Sequence, residues 1–252
     1  MSDATFVIAR RFRGPHDDAG ATANGGYFCG RVAAAAAGPV AVEIRARAGV
    51  PLDRPLVLRA RDGALEVHDG PVAIGRTSTD HLPAVTVPAS PPLEVALEVS
   101  RRFEAALAAG AVPHTFPECF VCGHHRTAGD GMRLFAGPLP GDGGARVAGW
   151  QPDPTLLDAD GRLRDEFVWS ALDCPGGWAL AGPGNTGTLQ VEIREPIDGR
   201  RPLIVMGWPE PGPAGARPGS RRRYAGTAMF DARGRLLAVG AAIWVAPPRS
   251  AG

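Results

Sequence analysis

The chain has 252 residues, of which 44% are hydrophobic, and its formal net charge is +1. This length suits one large or two small globular domains, and the balanced charge argues against a nucleic-acid partner, which needs a basic face. No apolar stretch approaches the ~18–20 residues that cross a membrane, and the opening segment MSDATFVIARRFRG lacks the apolar core of a signal peptide. We therefore expect a cytoplasmic protein without membrane contact.

The first part of the chain predicts strands around one helix. Residues 5–12 are typical of a strand, and the Ala-rich segment at 25–37 predicts a helix that ends at Gly38-Pro39. Further strands are predicted at 41–48, 55–60, 64–68 and 71–78, where turn residues separate short apolar runs.

A Pro-rich segment at 83–116 is predicted to be a linker. Within it, residues 92–109 carry apolar side chains at helical spacing, with charged residues between them. We expect an amphipathic linker helix there.

The last part of the chain repeats the same kind of pattern. A helix is predicted at 165–174, with two acidic residues in its first turn, where the helix dipole favours them. Strands are predicted at 132–136, 145–150, 188–195, 202–208, 221–231 and 236–246.

An internal echo connects the two parts. VEIRARAGVPLDRPLVLRA begins at Val42, and VEIREPIDGRRPLIVMGW begins at Val191. Each is typical of a strand, a turn and Arg-Pro-Leu opening a second strand, which indicates two similar domains rather than a solenoid. A helix followed by antiparallel strands, occurring twice, predicts an α+β tandem double hot-dog, in which each sheet wraps around a central helix. The expected boundaries are 1–82 and 117–252 for the two hot-dog domains and 83–116 for the linker.

The segment ECFVCGHHR is a candidate metal or redox site. A closed zinc site needs four ligands, but His124 and His125 are adjacent and follow Cys122 too closely for one segment to surround an ion. A redox pair would open a helix after a strand, whereas Cys119 and Cys122 lead into a predicted strand. We therefore predict no metal and no cofactor, with a zinc protein kept as an alternative.

Several motifs carry a family resemblance. Cys119-Phe120-Val121-Cys122-Gly123 is followed by GMRLF at 131–135, and Leu172-Asp173 is followed by Gly177-Trp178-Ala179. Through these motifs, residues 117–246 resemble the thioesterase-like hot-dog proteins of the phenylacetate-pathway type. The first part is similar more loosely, through Asn24-Gly25-Gly26-Tyr27, where relatives have His-Gly-Gly.

The resemblance implies hydrolysis of an acyl thioester such as an acyl-CoA. In catalytic relatives a Gly-Gly helix end polarises the thioester carbonyl, and a carboxylate from the neighbouring hot-dog unit acts as base or nucleophile. Here Asn24, Gly25 and Gly26 would supply the helix end and Asp173 the carboxylate. The second equivalent site would combine Arg164-Asp165-Glu166 with Ala33 and lacks both features.

The remaining expected site residues are aromatic or basic. Tyr27 and Trp178 each follow a Gly-Gly pair and are expected in the core or in a pocket wall. Arg221, Arg222 and Arg223 are candidates for the phosphates of coenzyme A, although such a run also guards strand edges. Two hot-dog units in one chain predict a monomer that forms a pseudo-dimer, or a homodimer.

Two departures from the family pattern support other interpretations. Asn24 replaces the family's histidine, and Pro175 interrupts its helix, so that Asp173 has a second interpretation as a helix stop. Both departures favour a non-catalytic acyl-CoA- or lipid-binding protein as the alternative. A hot-dog dehydratase is a further alternative, but the sequence shows no Asp-x4-His dyad.

Overall fold

The computed structural model describes residues 3–17, 20–46, 48–180, 182–213 and 220–247. The helices are α1 (Gly25–Ala33), α2 (Leu93–Ala108), α3 (Asp165–Ala171) and α4 (Cys174–Ala179). The strands are β1 (Ala4–Val7), β2 (Arg13–Asp17), β3 (Gly20–Ala23), β4 (Ala41–Ile44), β5 (Pro55–Arg61), β6 (Ala64–Asp69), β7 (Val72–Ser78), β8 (Gly137–Pro138), β9 (Arg146–Trp150), β10 (Asn185–Ile193), β11 (Leu203–Glu210), β12 (Arg222–Phe230) and β13 (Leu236–Val245). The described residues leave out residue 47, which belongs to the predicted strand 41–48. They also leave out residues 1–2 of the first predicted domain and 248–252 of the second.

Eleven strands form one antiparallel sheet in the order β1-β5-β6-β7-β4-β10-β13-β12-β11-β9-β8, and β2 and β3 form a separate hairpin. The two parts of the chain meet where β4 pairs with β10, with Ala41 opposite Gln190 and Val42 opposite Leu189. If the hairpin and the two-residue β8 are set aside, each side of this joint has the same order of strands. A large antiparallel sheet with few helices agrees with the expected hot-dog architecture.

Three predicted elements differ from the structure in the first part of the chain. The strand predicted at 41–48 ends as β4 at Ile44. The strand predicted at 5–12 is β1 followed by a 3-10 turn at Arg10–Phe12. The helix predicted at 25–37 ends as α1 at Ala33, because the next residues tighten into turns, with Ala35 N–H donating to Val32 O and Ala36 N–H to Ala33 O.

The strand predicted at 132–136 does not form. Arg133 has a φ of +53°, a left-handed conformation that ends an extended run. The neighbouring backbone instead bonds to the cysteine segment, with Met132 N–H donating to Phe120 O at 2.8 Å and Leu134 N–H to Val121 O at 2.9 Å.

Helix α2, at the position of the predicted linker helix, lies across the outer face of the sheet. Its Ala96 is fully buried in a cluster with Ile204 and Met206 of β11. Close packing there is possible because Gly149 of β9 leaves room for Leu97, whose backbone nitrogen would be only 2.5 Å from a Cβ at that position. Among the described residues, no helix combines the length and apolar character that a membrane crossing requires.

The inner face of the sheet surrounds α1 and α3, and aromatic side chains from both parts of the chain meet there. Phe12 stacks on Tyr27 with ring centroids 3.9 Å apart, and both contact Phe120 and Phe167. Three of these rings are no more than 3% exposed. This cluster binds the two parts together next to the N-terminus of α1.

Candidate active site

Asp173 lies at a break in the second central helix. The predicted helix 165–174 ends as α3 at Ala171, and α4 begins at Cys174 with Pro175 in its first turn. Proline suits the first turn of a helix because its missing N–H has no intrahelical acceptor there. The backbone of Asp173 (φ −89°, ψ −71°) joins the two helices, so Pro175 places the carboxylate at a junction instead of in a continuous helix.

The carboxylate of Asp173 faces the N-terminus of α1. Gly26 N–H donates to Oδ2 at 2.9 Å, and Asn24 Nδ2 lies 3.4 Å from the same oxygen. Thr186 of β10 donates its hydroxyl to Oδ1 at 2.7 Å. The structure therefore brings together the residues that the sequence analysis paired, and adds Thr186.

Asn24 is the N-cap of α1. Its Oδ1 accepts a hydrogen bond from Tyr27 N–H at 2.9 Å, which fixes the amide so that Nδ2 points toward Asp173. The side chain therefore has a capping role and a second contact with the buried acid.

Both glycines at the start of α1 are required by close packing. A Cβ on Gly26 would lie 2.6 Å from Asp173 Cβ and 2.8 Å from Trp169 O, and one on Gly25 would lie 2.6 Å from Thr186 Oγ1. The space beside both glycines is thus filled by other atoms of the protein.

Burial controls the ionisation of Asp173. The residue is 1% exposed, and desolvation raises the pKa of its carboxyl to about 7, against the hydrogen bonds from Thr186, Gly26 and Asn24, which favour the charged form. A carboxyl group with a pKa near neutrality can both accept and return a proton.

The two predicted aromatic residues have different surroundings. Tyr27 is 3% exposed, and its hydroxyl accepts a hydrogen bond from Arg31 at 3.3 Å, so it belongs to the core. Trp178 is half-buried, packs edge-on to Phe103 of α2, and donates its indole N–H to the thiol of Cys122.

The arginine triplet lies at the start of β12. Arg221 donates to Ala246 O at 3.1 Å, and Arg223 donates to Gly182 O at 3.1 Å and to Pro183 O. Arg222 is exposed. Two of the three guanidinium groups therefore hold neighbouring backbone.

At the second site position that the sequence predicted, Asp165 and Glu166 lie in the first turn of α3. Arg164 is the N-cap residue of α3 and makes no side-chain capping bond. A Cβ on Gly30 would lie 2.8 Å from Glu166 Cα, so α1 and α3 cross here in direct backbone contact.

A cluster of cysteines that the sequence analysis did not predict lies beside Asp173. Cys119, Cys122 and Cys174 are buried, and their sulfur atoms lie within 4.8 Å of one another. Asn24 Nδ2 is 3.7 Å from Cys119 Sγ and 3.9 Å from Cys174 Sγ. The CxxC spacing signalled the first two thiols, but no local pattern connects them to the third.

No family model and no curated protein matches this sequence. Among solved structures, the tesB protein of Mycobacterium avium subs. paratuberculosis has a TM-score of 0.57 at 13% identity, covering 98% of this chain and 93% of that chain. Acyl-CoA thioesterase II from Mycobacterium marinum has a TM-score of 0.52 at 14% identity, covering 90% and 91%. A variant of the dehydratase GphF has a TM-score of 0.55 at 14% identity, covering 97% and 93%. The chain therefore shares the hot-dog fold of these solved structures.

Proposed function

We propose that this protein hydrolyses an acyl thioester, with Asp173 as the catalytic carboxylate and the N-terminus of α1 as the oxyanion donor. The observation that carries the proposal is the contact of Gly26 N–H with Asp173, which joins a helix dipole from one part of the chain to a buried acid from the other. Backbone donors at a helix N-terminus are fixed before reaction, and such donors stabilise developing oxyanions.

We infer that this pairing comes from an internal duplication. The matching strand order on each side of the β4–β10 joint supports two hot-dog units, with boundaries near 1–82 and 117–252 and a linker at 83–116. One unit then contributes Asn24, Gly25 and Gly26, and the other contributes Asp173.

Substrate would enter from the side of Gly25 and Thr186, which are half-buried while Asp173 is not exposed. The thioester carbonyl oxygen replaces Asp173 Oδ2 as the acceptor of Gly26 N–H. Gly25 N–H has no intrahelical acceptor in the first turn and provides a second donor. Thr186 continues to hold Oδ1, so Oδ2 is the oxygen released for chemistry.

Hydrolysis then needs one water molecule. Its oxygen attacks the carbonyl carbon while Asp173 accepts its proton, and the negative charge moves to the oxygen held by the helix N-terminus. Collapse of this intermediate breaks the carbon–sulfur bond, and Asp173 returns the proton to the departing thiolate. The products are a carboxylic acid and a free thiol.

The carrier thiol is proposed to be coenzyme A, with Arg221 to Arg223 near its phosphates. One of the similar solved structures is an acyl-CoA thioesterase. Exposed Arg222 is the member of the triplet best placed for this contact, since Arg221 and Arg223 hold neighbouring carbonyl groups.

Thiol release from a panel of acyl-CoAs tests the proposal. Asp173→Asn should lower kcat by ~10²–10⁴, the usual contribution of a general base. The matched control is Asp165→Asn, at the exposed first residue of α3, which should keep wild-type turnover. Full activity in Asp173→Asn would contradict the mechanism.

A second candidate function is binding of an acyl thioester without turnover. It is favoured by the filled space beside Gly25 and Gly26, and by the engagement of Gly26 N–H with Asp173. A rise in Tm with acyl-CoA, without thiol release from any member of the panel, would support this candidate.

A further inference from the structure

The thiols of Cys119, Cys122 and Cys174 lie together in the interior. Cys174 follows the other two cysteines by 55 and 52 positions in the chain. Cys119 Sγ lies 3.8 Å from Cys174 Sγ, and all three sulfur atoms lie within 4.8 Å of one another. The residues are 4%, 6% and 7% exposed, and all are free cysteines. The three cysteines therefore form a compact group of sulfur ligands that is shielded from water.

The backbone builds the first two thiols into a turn that aims N–H groups at sulfur. Val121 and Cys122 donate their backbone N–H groups to Cys119 Sγ. Gly123 N–H donates to Cys119 O at 2.9 Å, and a Cβ on Gly123 would lie only 2.5 Å from that oxygen. Backbone N–H groups directed at a sulfur stabilise its thiolate form, which is the form that binds metals.

The third thiol is supplied by the helix break. Cys174 is the first residue of α4, immediately after Asp173. The break between α3 and α4 therefore lies beside both Asp173 and Cys174.

We propose that Cys119, Cys122 and Cys174 bind a zinc ion as thiolates. With Zn–S bonds of about 2.3 Å in a tetrahedron, two sulfur atoms are about 3.8 Å apart, which is the separation of Cys119 Sγ and Cys174 Sγ. Thiolate ligands select soft or borderline metals over calcium or magnesium.

The fourth coordination position lies on the side of Asn24. Its Nδ2 is 3.7 Å and 3.9 Å from two of the sulfur atoms, and as a hydrogen-bond donor it can hold an oxygen ligand such as water at that position. A site with three protein ligands and one exchangeable ligand is a common zinc arrangement.

The neighbouring histidines are not needed as ligands. His114 uses Nε2 for Cys122 O at 3.2 Å and accepts Phe116 N–H at Nδ1. The His124 ring packs against the rings of His114 and His125 in tilted and edge-on contacts. The motif that suggested zinc therefore contributes its cysteines but not its histidines.

Metal titration of the wild-type protein tests the site, independently of thioester hydrolysis. The reduced, metal-free protein should bind one zinc per chain and release protons as the thiols ionise. Cobalt should give the ultraviolet thiolate charge-transfer band and the strong visible bands of tetrahedral coordination, and one equivalent of zinc should abolish both.

Cysteine substitutions locate the ligands. Cys122→Ser and Cys174→Ser should each remove the cobalt charge-transfer band. Cys29→Ser is the matched control, because Cys29 is equally buried but faces Val42 O at 3.8 Å, outside the cluster; it should bind cobalt as wild type does. Reduced wild-type protein with four titratable thiols but no stoichiometric zinc or cobalt binding would overturn the proposal.

Discussion

The backbone nitrogen of Gly26 lies 2.9 Å from the carboxylate oxygen Oδ2 of Asp173, 147 residues later in the chain. The two residues belong to different parts of the fold. The contact closes the N-terminus of one central helix with an acid from the other, which places a donor and a base within one hydrogen bond of each other.

Replacing Asp173 by asparagine should change how stability depends on pH in the metal-free protein. The folded pKa is raised from 3.8 to about 7, so the unfolded chain ionises first as pH rises. The contribution of Asp173 to wild-type stability should therefore be largest below about pH 4 and fall by up to about 4 kcal/mol by about pH 7. Asp173→Asn removes this loss. The unfolding free energy of the variant, relative to that of wild type, should therefore rise between about pH 4 and pH 7 and stay constant above that window.

Urea unfolding at several pH values measures the difference. Asp62→Asn, at an exposed turn, is the control and should stay parallel to wild type throughout. If the unfolding free energies of Asp173→Asn and wild type differ by the same amount from acid to neutral pH, burial does not raise the pKa of Asp173.

Gly26→Ala should separate α1 from α3. Its Cβ would lie 2.6 Å from Asp173 Cβ and 2.8 Å from a backbone oxygen, and overpacking of this kind costs about 1–3 kcal/mol. Gly38→Ala, where a Cβ meets nothing within 4 Å, should leave Tm unchanged or slightly higher. Equal Tm values for the two variants would argue against the close helix contact.

Thr186→Val should impair turnover, because it removes the hydroxyl that holds Asp173 Oδ1 at 2.7 Å. A hydrogen bond to a charged group contributes about 1.5–3 kcal/mol, which corresponds to a loss of about 10–100-fold in kcat. Thr186→Ser keeps the hydroxyl and should restore most of the rate. If the serine variant is as slow as the valine variant, the methyl group and not the hydroxyl matters.

Substitution of Arg222 by alanine tests the coenzyme A contact. We expect KM for an acyl-CoA to rise about tenfold, the loss of one charge-assisted hydrogen bond. KM for the same acyl group on N-acetylcysteamine, which has no phosphates, should not change. A similar change in KM for both substrates would remove Arg222 from carrier recognition. Arg221 and Arg223 are left intact because they hold Ala246 O and Gly182 O.

Much of the sheet could be predicted from the sequence, because strands such as β11 and β13 are dense in apolar and β-branched residues. The pairing of Asn24, Gly25 and Gly26 with Asp173 came from the family resemblance, since neither part of the chain carries both groups. Its catalytic role stays a prediction.

The missed features depend on backbone conformation or distant contacts. The segment 132–136 looked like a strand, but the positive φ of Arg133 has no signature in side-chain pattern. The contact of Cys174 with Cys119 could not be predicted, because spacing rules describe ligands within one segment of the chain. Thr186 was also missed, since a threonine in a strand is ordinary by itself.

The joint between β4 and β10 has a consequence for folding. It brings together residues such as Ala41 and Gln190 that are far apart in the chain, and contacts of such long sequence separation form slowly because they close large loops. An intermediate in which both central helices have formed but β4 and β10 are not paired would lack the hydrogen bond between Gly26 N–H and Asp173. Recovery of activity during refolding should therefore lag behind recovery of secondary structure, and the rate of that lag would measure assembly of the two parts.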